Sequence, residues 1–181
     1  MNRFLRVGVV ATATTLLVGP IAANADTGSA PDGPDGGGPA YADITSVDVN
    51  HRMHRINATI RMAAVNERRL AKTQVRIQRK GDRKVWTVTV TRNRRGTVTS
   101  KVLTFKRPGG PTGIILGCGK IRTGTGAKRL RISVPTACIV GDHRDKRVRV
   151  KARTTARAGS AGGVQMSIVD STPYTRYLAR G

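Results

Sequence analysis

The chain has 181 residues, with 33 Lys and Arg against 10 Asp and Glu, for a net charge of +23. A hydrophobic share of 38% is enough for one core and excludes a wholly disordered chain, while two cysteines exclude a disulfide-dense scaffold. A charge of this sign and size excludes basic partners and points toward polyanions.

The first 25 residues have the layout of a secretory signal peptide. Arg3 and Arg6 precede an apolar run from Val7 to Val18, Gly19-Pro20 breaks it, and Ala23-Asn24-Ala25 places small residues before Asp26. The run is about a dozen residues, short of the roughly 20 that a spanning helix needs. Cleavage after Ala25 is therefore expected over a retained anchor. No later stretch is long and apolar enough to span, so no transmembrane segment is expected in the mature chain. The expected location is extracellular, with association to the cell wall. Losing Arg3 and Arg6 leaves 31 basic residues against the same 10 acidic ones, a net charge of +21.

Residues 26–40 read as a flexible linker of Gly, Pro and Asp, with little to bury. Asp32-Gly33-Pro34-Asp35-Gly36 has a faint look of a calcium loop but lacks the third acid and the closing Glu. Residues 41–181 read as one basic domain. Five of the ten acids precede Arg52, so from residue 49 onward 31 Lys and Arg face only Glu67, Asp82, Asp142, Asp145 and Asp170.

Across this domain the hydrophobic pattern has period two. Ile56, Ala58, Ile60 and Met62 alternate with Arg55, Asn57, Thr59 and Arg61. The same alternation recurs at Val75 and Ile77, at Trp86, Val88 and Val90, at Leu130, Ile132 and Val134, and at Val148, Val150 and Ala152. It is weaker at Val47–Val49, Val102–Phe105 and Val164–Val169. Turn chemistry separates the runs at Lys80-Gly81-Asp82, Asn93–Gly96, Pro108–Pro111 and Gly141-Asp142-His143. The pattern predicts an all-β fold, an antiparallel two-sheet sandwich or jelly roll of about 7–9 strands with one disulfide. Only Ala63–Ala71 has the pattern of a short helix, with an irregular connection as the equal alternative.

Cys118 and Cys138 both lie in the exported part. In an oxidising compartment an even pair reads first as a disulfide, with two free thiols as the alternative. Its loop of about 20 residues would contribute roughly 3 kcal/mol in the chain-entropy picture. A metal site finds no completing ligands at the right spacing.

Chemistry-bearing patterns are few. His51 and His54 stand at odd and even strand positions, which sends their rings to opposite faces, and His143 falls in a turn. They read as surface polar residues. Ala158-Gly159-Ser160-Ala161-Gly162 lacks the strand-to-helix context of a nucleophile elbow, and Gly117-Cys118-Gly119-Lys120 lacks the first Gly and the Ser/Thr of a phosphate loop. Asn57-Ala58-Thr59 is a formal glycosylation acceptor. No catalytic residue, metal or cofactor is expected. The remaining feature is basic: Arg129 and Arg131 on one strand, and Arg147, Arg149, Lys151 and Arg153 on another, point away from their apolar neighbours. The two strands flank Cys138 and are candidates for neighbours in one sheet. Such a face is either a solvated, charge-rich surface or a binding face for an anionic polymer.

Ala42–Val49, Leu130–Ile139, Lys146–Val150 and Asp170–Tyr174 together resemble a loose group of small exported β-sandwich proteins of actinobacteria. The resemblance implies the fold, the compartment and a disulfide between Cys138, just after a strand-ending Pro, and an upstream Cys. It implies no activity. The expected function is non-enzymatic binding to an anionic cell-envelope polymer or surface, such as a teichoic-type phosphate or an acidic polysaccharide. Nucleic acid is a weaker partner, because single-strand binders interleave aromatics with the charge. The alternatives are a carbohydrate-binding module using Trp86, Tyr174 and Tyr177, or a secreted structural protein with no specific ligand.

Overall fold

The computed structural model describes residues 26–33, 39–117, 119–141, 146–161 and 164–181. The signal-peptide reading of residues 1–25 lies outside these residues, as do Cys118, Asp142, His143 and Asp145. Eleven strands run in chain order: β1 (Asp26–Pro31), β2 (Ile44–His51), β3 (Arg55–Met62), β4 (Leu70–Arg79), β5 (Val85–Arg92), β6 (Val98–Lys106), β7 (Thr112–Ile114), β8 (Arg122–Gly126), β9 (Arg129–Pro135), β10 (Val148–Ala161) and β11 (Val164–Ser171). They form two antiparallel sheets, one of five strands in the order β1-β2-β3-β9-β8 and one of six in the order β11-β10-β4-β5-β6-β7. Among the described residues the helical content is one 3-10 turn, Thr136–Cys138, and no helix is long and apolar enough to cross a membrane.

The period-two pattern explains the core. Val47, Ile56, Ile60, Leu130 and Val134 from the five-stranded sheet, and Val75, Ile77, Val88, Val90, Val148 and Val150 from the six-stranded sheet, join one buried cluster. Their alternate neighbours carry the Arg, Thr, Gln and Asn residues outward. Strands β4 to β7 form a continuous meander, which is not the wound strand order of a jelly roll. The strand count exceeds the expected 7–9 because β1, β7 and β8 are built of Gly, Thr and Ser with almost no apolar alternation. The short helix at Ala63–Ala71 does not form: a turn occupies 67–69 and Leu70 already opens β4.

The linker reading of residues 26–40 is corrected at its start. Asp26–Pro31 pair with β2 along their whole length, from Asp26 opposite His51 to Pro31 opposite Ser46. Glycine is what admits this strand, because a Cβ at Gly28 would stand 2.7 Å from Cδ2 of Leu178. Ser29 Oγ adds a hydrogen bond to Asp48 Oδ1 at 2.8 Å.

Beyond β11 the chain continues along β10 as a strap rather than a regular strand. Threonine side chains stand in for missing backbone carbonyls: Ala152 N–H donates to Thr172 Oγ1 at 3.1 Å, and Val150 N–H to Thr175 Oγ1 at 3.0 Å. Leu178 then pairs with Val148 in both directions, at 2.9 and 2.7 Å, with its side chain fully buried. Ala179 N–H donates to Asp26 Oδ2 at 2.8 Å, and Gly181 N–H to His51 O at 3.2 Å. The strap therefore ties the six-stranded sheet to the edge of the five-stranded one.

Two expectations about aromatic and histidine residues change or hold here. His51 is not a surface residue: it is completely buried at the end of β2, with Nδ1 3.3 Å from Leu178 O. Trp86 is buried and Phe105 partly buried against the core, as their inward positions imply. Cys138 ends the 3-10 turn and packs against the core, while its expected partner Cys118 lies outside the described residues.

Candidate anion-binding faces

The six basic candidates do not share a sheet. β9 belongs to the five-stranded sheet and β10 to the six-stranded one, so Arg129 and Arg131 face away from Arg149, Lys151 and Arg153. The sequence cannot show this, because the strands are close in the chain and nothing local records that the connection between them crosses from one sheet to the other. Arg147 stands exposed just ahead of β10, where its carbonyl accepts from Lys80 N–H at 2.9 Å.

On the six-stranded sheet, β10 aligns its outward residues with those of β4. Arg149 lies opposite Gln78, Lys151 opposite Arg76, Arg153 opposite Gln74 and Thr155 opposite Lys72. Beyond β4 the rows continue into Thr87, Thr89 and Thr91 of β5. The face thus carries five cations on two adjacent strands, set in a field of Gln and Thr hydrogen-bonding groups. No Asp or Glu among the described residues stands on it. Lys72 and Arg76 escape a scan of the sequence for charge runs, because they alternate with apolar residues on a different strand. Their register opposite β10 is what recruits them.

Arg149 is held in place without losing its charge. Its Nε and one terminal nitrogen donate to Gln78 Oε1 at 3.1 and 2.8 Å. Its guanidinium carbon lies 4.7 Å from the ring centroid of Tyr174 and 5.1 Å from that of Tyr177, and Lys151 Nζ is 5.6 Å from Tyr174. These distances are in the range of cation–π attraction. Burial raises the pKa of the Tyr174 phenol, against the opposing pull of Arg76 and Arg149. The two tyrosines therefore serve as supports for Arg149.

On the five-stranded sheet, Arg129 lies directly opposite Arg61, and Asp48 takes up part of that charge through Arg61 Nε at 2.5 Å. Beside them lies an open groove of about 1230 Å³ lined by residues of β2, β3, β8, β9 and the turn between β2 and β3, among them Arg52, Arg55, Arg122 and Arg131. No Asp or Glu among the described residues lines it. Arg55 donates from Nε to Ser133 Oγ at 2.6 Å, and from one terminal nitrogen to Ser133 O at 2.8 Å and Lys120 O at 2.9 Å. Ser133 Oγ donates in turn to Asn57 Oδ1 at 2.5 Å. Partial burial, with Arg122 nearby, lowers the pKa of Arg55.

The motifs set aside in the sequence have the following setting. Among the described residues no group of three or more His, Cys, Asp or Glu is placed to hold a metal ion. Ser160 lies within β10, not on a strand-to-helix turn. Among the described residues the next element after Gly117 is the strand β8. No protein-family model, curated protein or solved structure matches the chain, so its chemistry is read from these faces alone.

Proposed function

We propose that the protein is an exported, non-enzymatic binder of an anionic envelope polymer, with residues 1–25 removed and Cys118 joined to Cys138. Its polymer-binding face is the outer surface of the six-stranded sheet. One observation carries the reading: Lys72, Arg76, Arg149, Lys151 and Arg153 stand side by side on β4 and β10 with no carboxylate beside them among the described residues. Lys151 and Arg76 are directly opposite, an arrangement that costs stability unless an anion lies across it. A row of cations along two adjacent strands suits an extended polymer rather than a small molecule. Teichoic-type phosphates and acidic polysaccharides present such a repeating charge, and nucleic acid is a weaker fit because the face offers no free aromatic platform. A sugar-stacking module is less favoured, since Trp86 is buried and Arg149 covers both Tyr174 and Tyr177.

The test is retention on purified cell wall or immobilised heparin between about 50 and 500 mM salt, where release of condensed counterions makes affinity fall steeply. Replacing Arg76, Lys151 and Arg153 by Gln is expected to reduce the dependence of log affinity on log salt by about one unit for each cation that touches the polymer. Retention that ignores salt, or a triple variant that elutes with the parent, overturns the proposal and leaves a secreted protein with a merely solvated basic surface.

A further inference from the structure

We propose that the groove on the five-stranded sheet is a separate site for one oxyanion carried on a hydroxyl-rich unit, such as a phosphorylated or carboxylated sugar. It is distinct from the extended basic face on the other sheet and does not depend on it.

The argument starts from register. Arg122 of β8 lies opposite Ser133 of β9, and Ser133 opposite Asn57 of β3. These three form one row across the outer face. Arg131 lies two residues along β9, next to Thr59 on one side and Gly124 on the other. Arg55 lies two residues along β3 from Asn57 on the opposite side of the row. Neighbouring strands are ~5 Å apart and same-face residues ~7 Å apart along a strand. Arg122 and Arg131 are thus diagonal neighbours on β8 and β9, Arg55 lies on the far side of Ser133, and all three line the one groove, into which their long side chains bring charge for a phosphate or carboxylate.

The groups are also in the right state. Arg55 is fixed by three hydrogen bonds, all to neutral oxygens, so it is oriented but not neutralised. Among the described residues none of Arg55, Arg122 and Arg131 has a carboxylate partner, and Arg122 and Arg131 are exposed. Arg55 keeps one terminal nitrogen as a donor, and the forks of Arg122 and Arg131 have the geometry that binds oxyanions through two parallel bonds. The amide nitrogen of Asn57 and the hydroxyl of Thr59, both lining the groove, are groups of the kind that hydrogen-bond sugar hydroxyls. This mixture favours an anionic sugar over a bare ion.

Gly124 keeps the floor open. Its outward position has no side chain, and a Cβ placed there would meet only Arg131 Cβ, at an ordinary 3.9 Å. The backbone there is not in the left-handed region. A larger residue therefore fits the strand while projecting into the groove.

The experiment is a titration of the full mature chain, followed by amide chemical shifts, with a hexose phosphate, a hexuronate, inorganic phosphate and a neutral hexose. Saturable shifts confined to the groove residues Asn57, Gly124 and Ser133 are expected with the hexose phosphate or the hexuronate. Whichever of these two binds more tightly identifies the source of the oxyanion. Inorganic phosphate is expected to bind more weakly and the neutral hexose not at all. Arg122→Gln and Arg131→Gln should each weaken binding about tenfold. Gly124→Leu should abolish it with the net charge and the folded spectrum unchanged, which separates a shaped site from general attraction. Arg76→Gln with Lys151→Gln should leave it intact, so failure here and failure of the polymer-binding face are told apart. Equal binding by Gly124→Leu, equal shifts with the neutral hexose, or shifts spread over both sheets overturn the site.

Discussion

At the scale of single residues, the scarcity of acids decides what the arginines do. Arg157 donates to the carbonyls of Arg68, Leu70, Asn93 and Arg92. Arg79 reaches Val140 O at 3.1 Å, pairs with Asp82 and lies 4.5 Å from the Trp86 centroid. Arg55 and Arg149 are held by neutral oxygens in the same way. Such contacts fix a guanidinium without cancelling it, which leaves an ordered positive surface. The opposed pair Arg76 and Lys151 is the exposed cost of that arrangement. Arg76→Gln is expected to raise stability by about 0.2–1 kcal/mol in low salt and to lose that advantage in high salt, as read by urea unfolding, while weakening polymer retention. His51 supplies a pH dependence of known sign. Burial lowers its pKa and repulsion from Arg180 adds to this, while Leu178 O and Asp26 pull the other way. The fold thus holds the neutral ring, and the unfolded chain takes up a proton first as pH falls. Stability is fully present above the unfolded value of about 6.5 and declines as pH drops below it. The urea midpoint should fall between about pH 7.5 and 5.5 in the parent and stay level in His51→Gln. The sequence did not reveal this residue's burial, because the partner that covers it, Leu178, lies 127 residues away.

At the scale of elements, the strands that bury an apolar face were readable and those that do not were hidden. Ile56, Ala58 and Ile60 declare β3, and Val148, Val150 and Ala152 declare β10, because each alternates against charged neighbours. β7 and β8 bury little, so Thr112-Gly113-Ile114 and Arg122-Thr123-Gly124 show no period. β7 forms because Gly113 leaves room for the Phe105 ring, which a Cβ would meet at 2.4 Å. The strap after β11 was legible only as a motif, Asp170-Ser171-Thr172-Pro173-Tyr174, with its role unassigned. Pro173 cannot donate to a ladder, and the hydroxyls of Thr172 and Thr175 complete β10 instead. Thr175→Val keeps the shape and removes the acceptor for the buried Val150 N–H. A loss of about 1–3 kcal/mol is expected from the orphaned donor, with Thr175→Ser restoring most of it, as measured by chemical denaturation.

At the scale of the whole molecule, compartment, fold class and the sign of the surface were all argued from the sequence, and the structure bears on the last two. The division of the cations between two faces was not legible, because strand order within a sheet is a long-range property that a periodic pattern does not carry. Arg131 and Lys151 look alike in the sequence, yet they end on opposite sides of the core, one lining a groove and one in a row of cations. The strap between the sheets has a consequence for how the chain comes into being. Asp26 and Ala179 are 153 residues apart and joined by a hydrogen bond, with Leu178 seated over Gly28 between them. The first strand therefore cannot close its edge until the strap has been made. Loop closure over such a separation is slow, so this tie forms late, after the local pairings of β2 with β3 and of β4 to β7. For a polypeptide that must thread a membrane channel unfolded, as the proposed export requires, that delay is an advantage: the sheets gain this tie only after the strap has emerged on the far side.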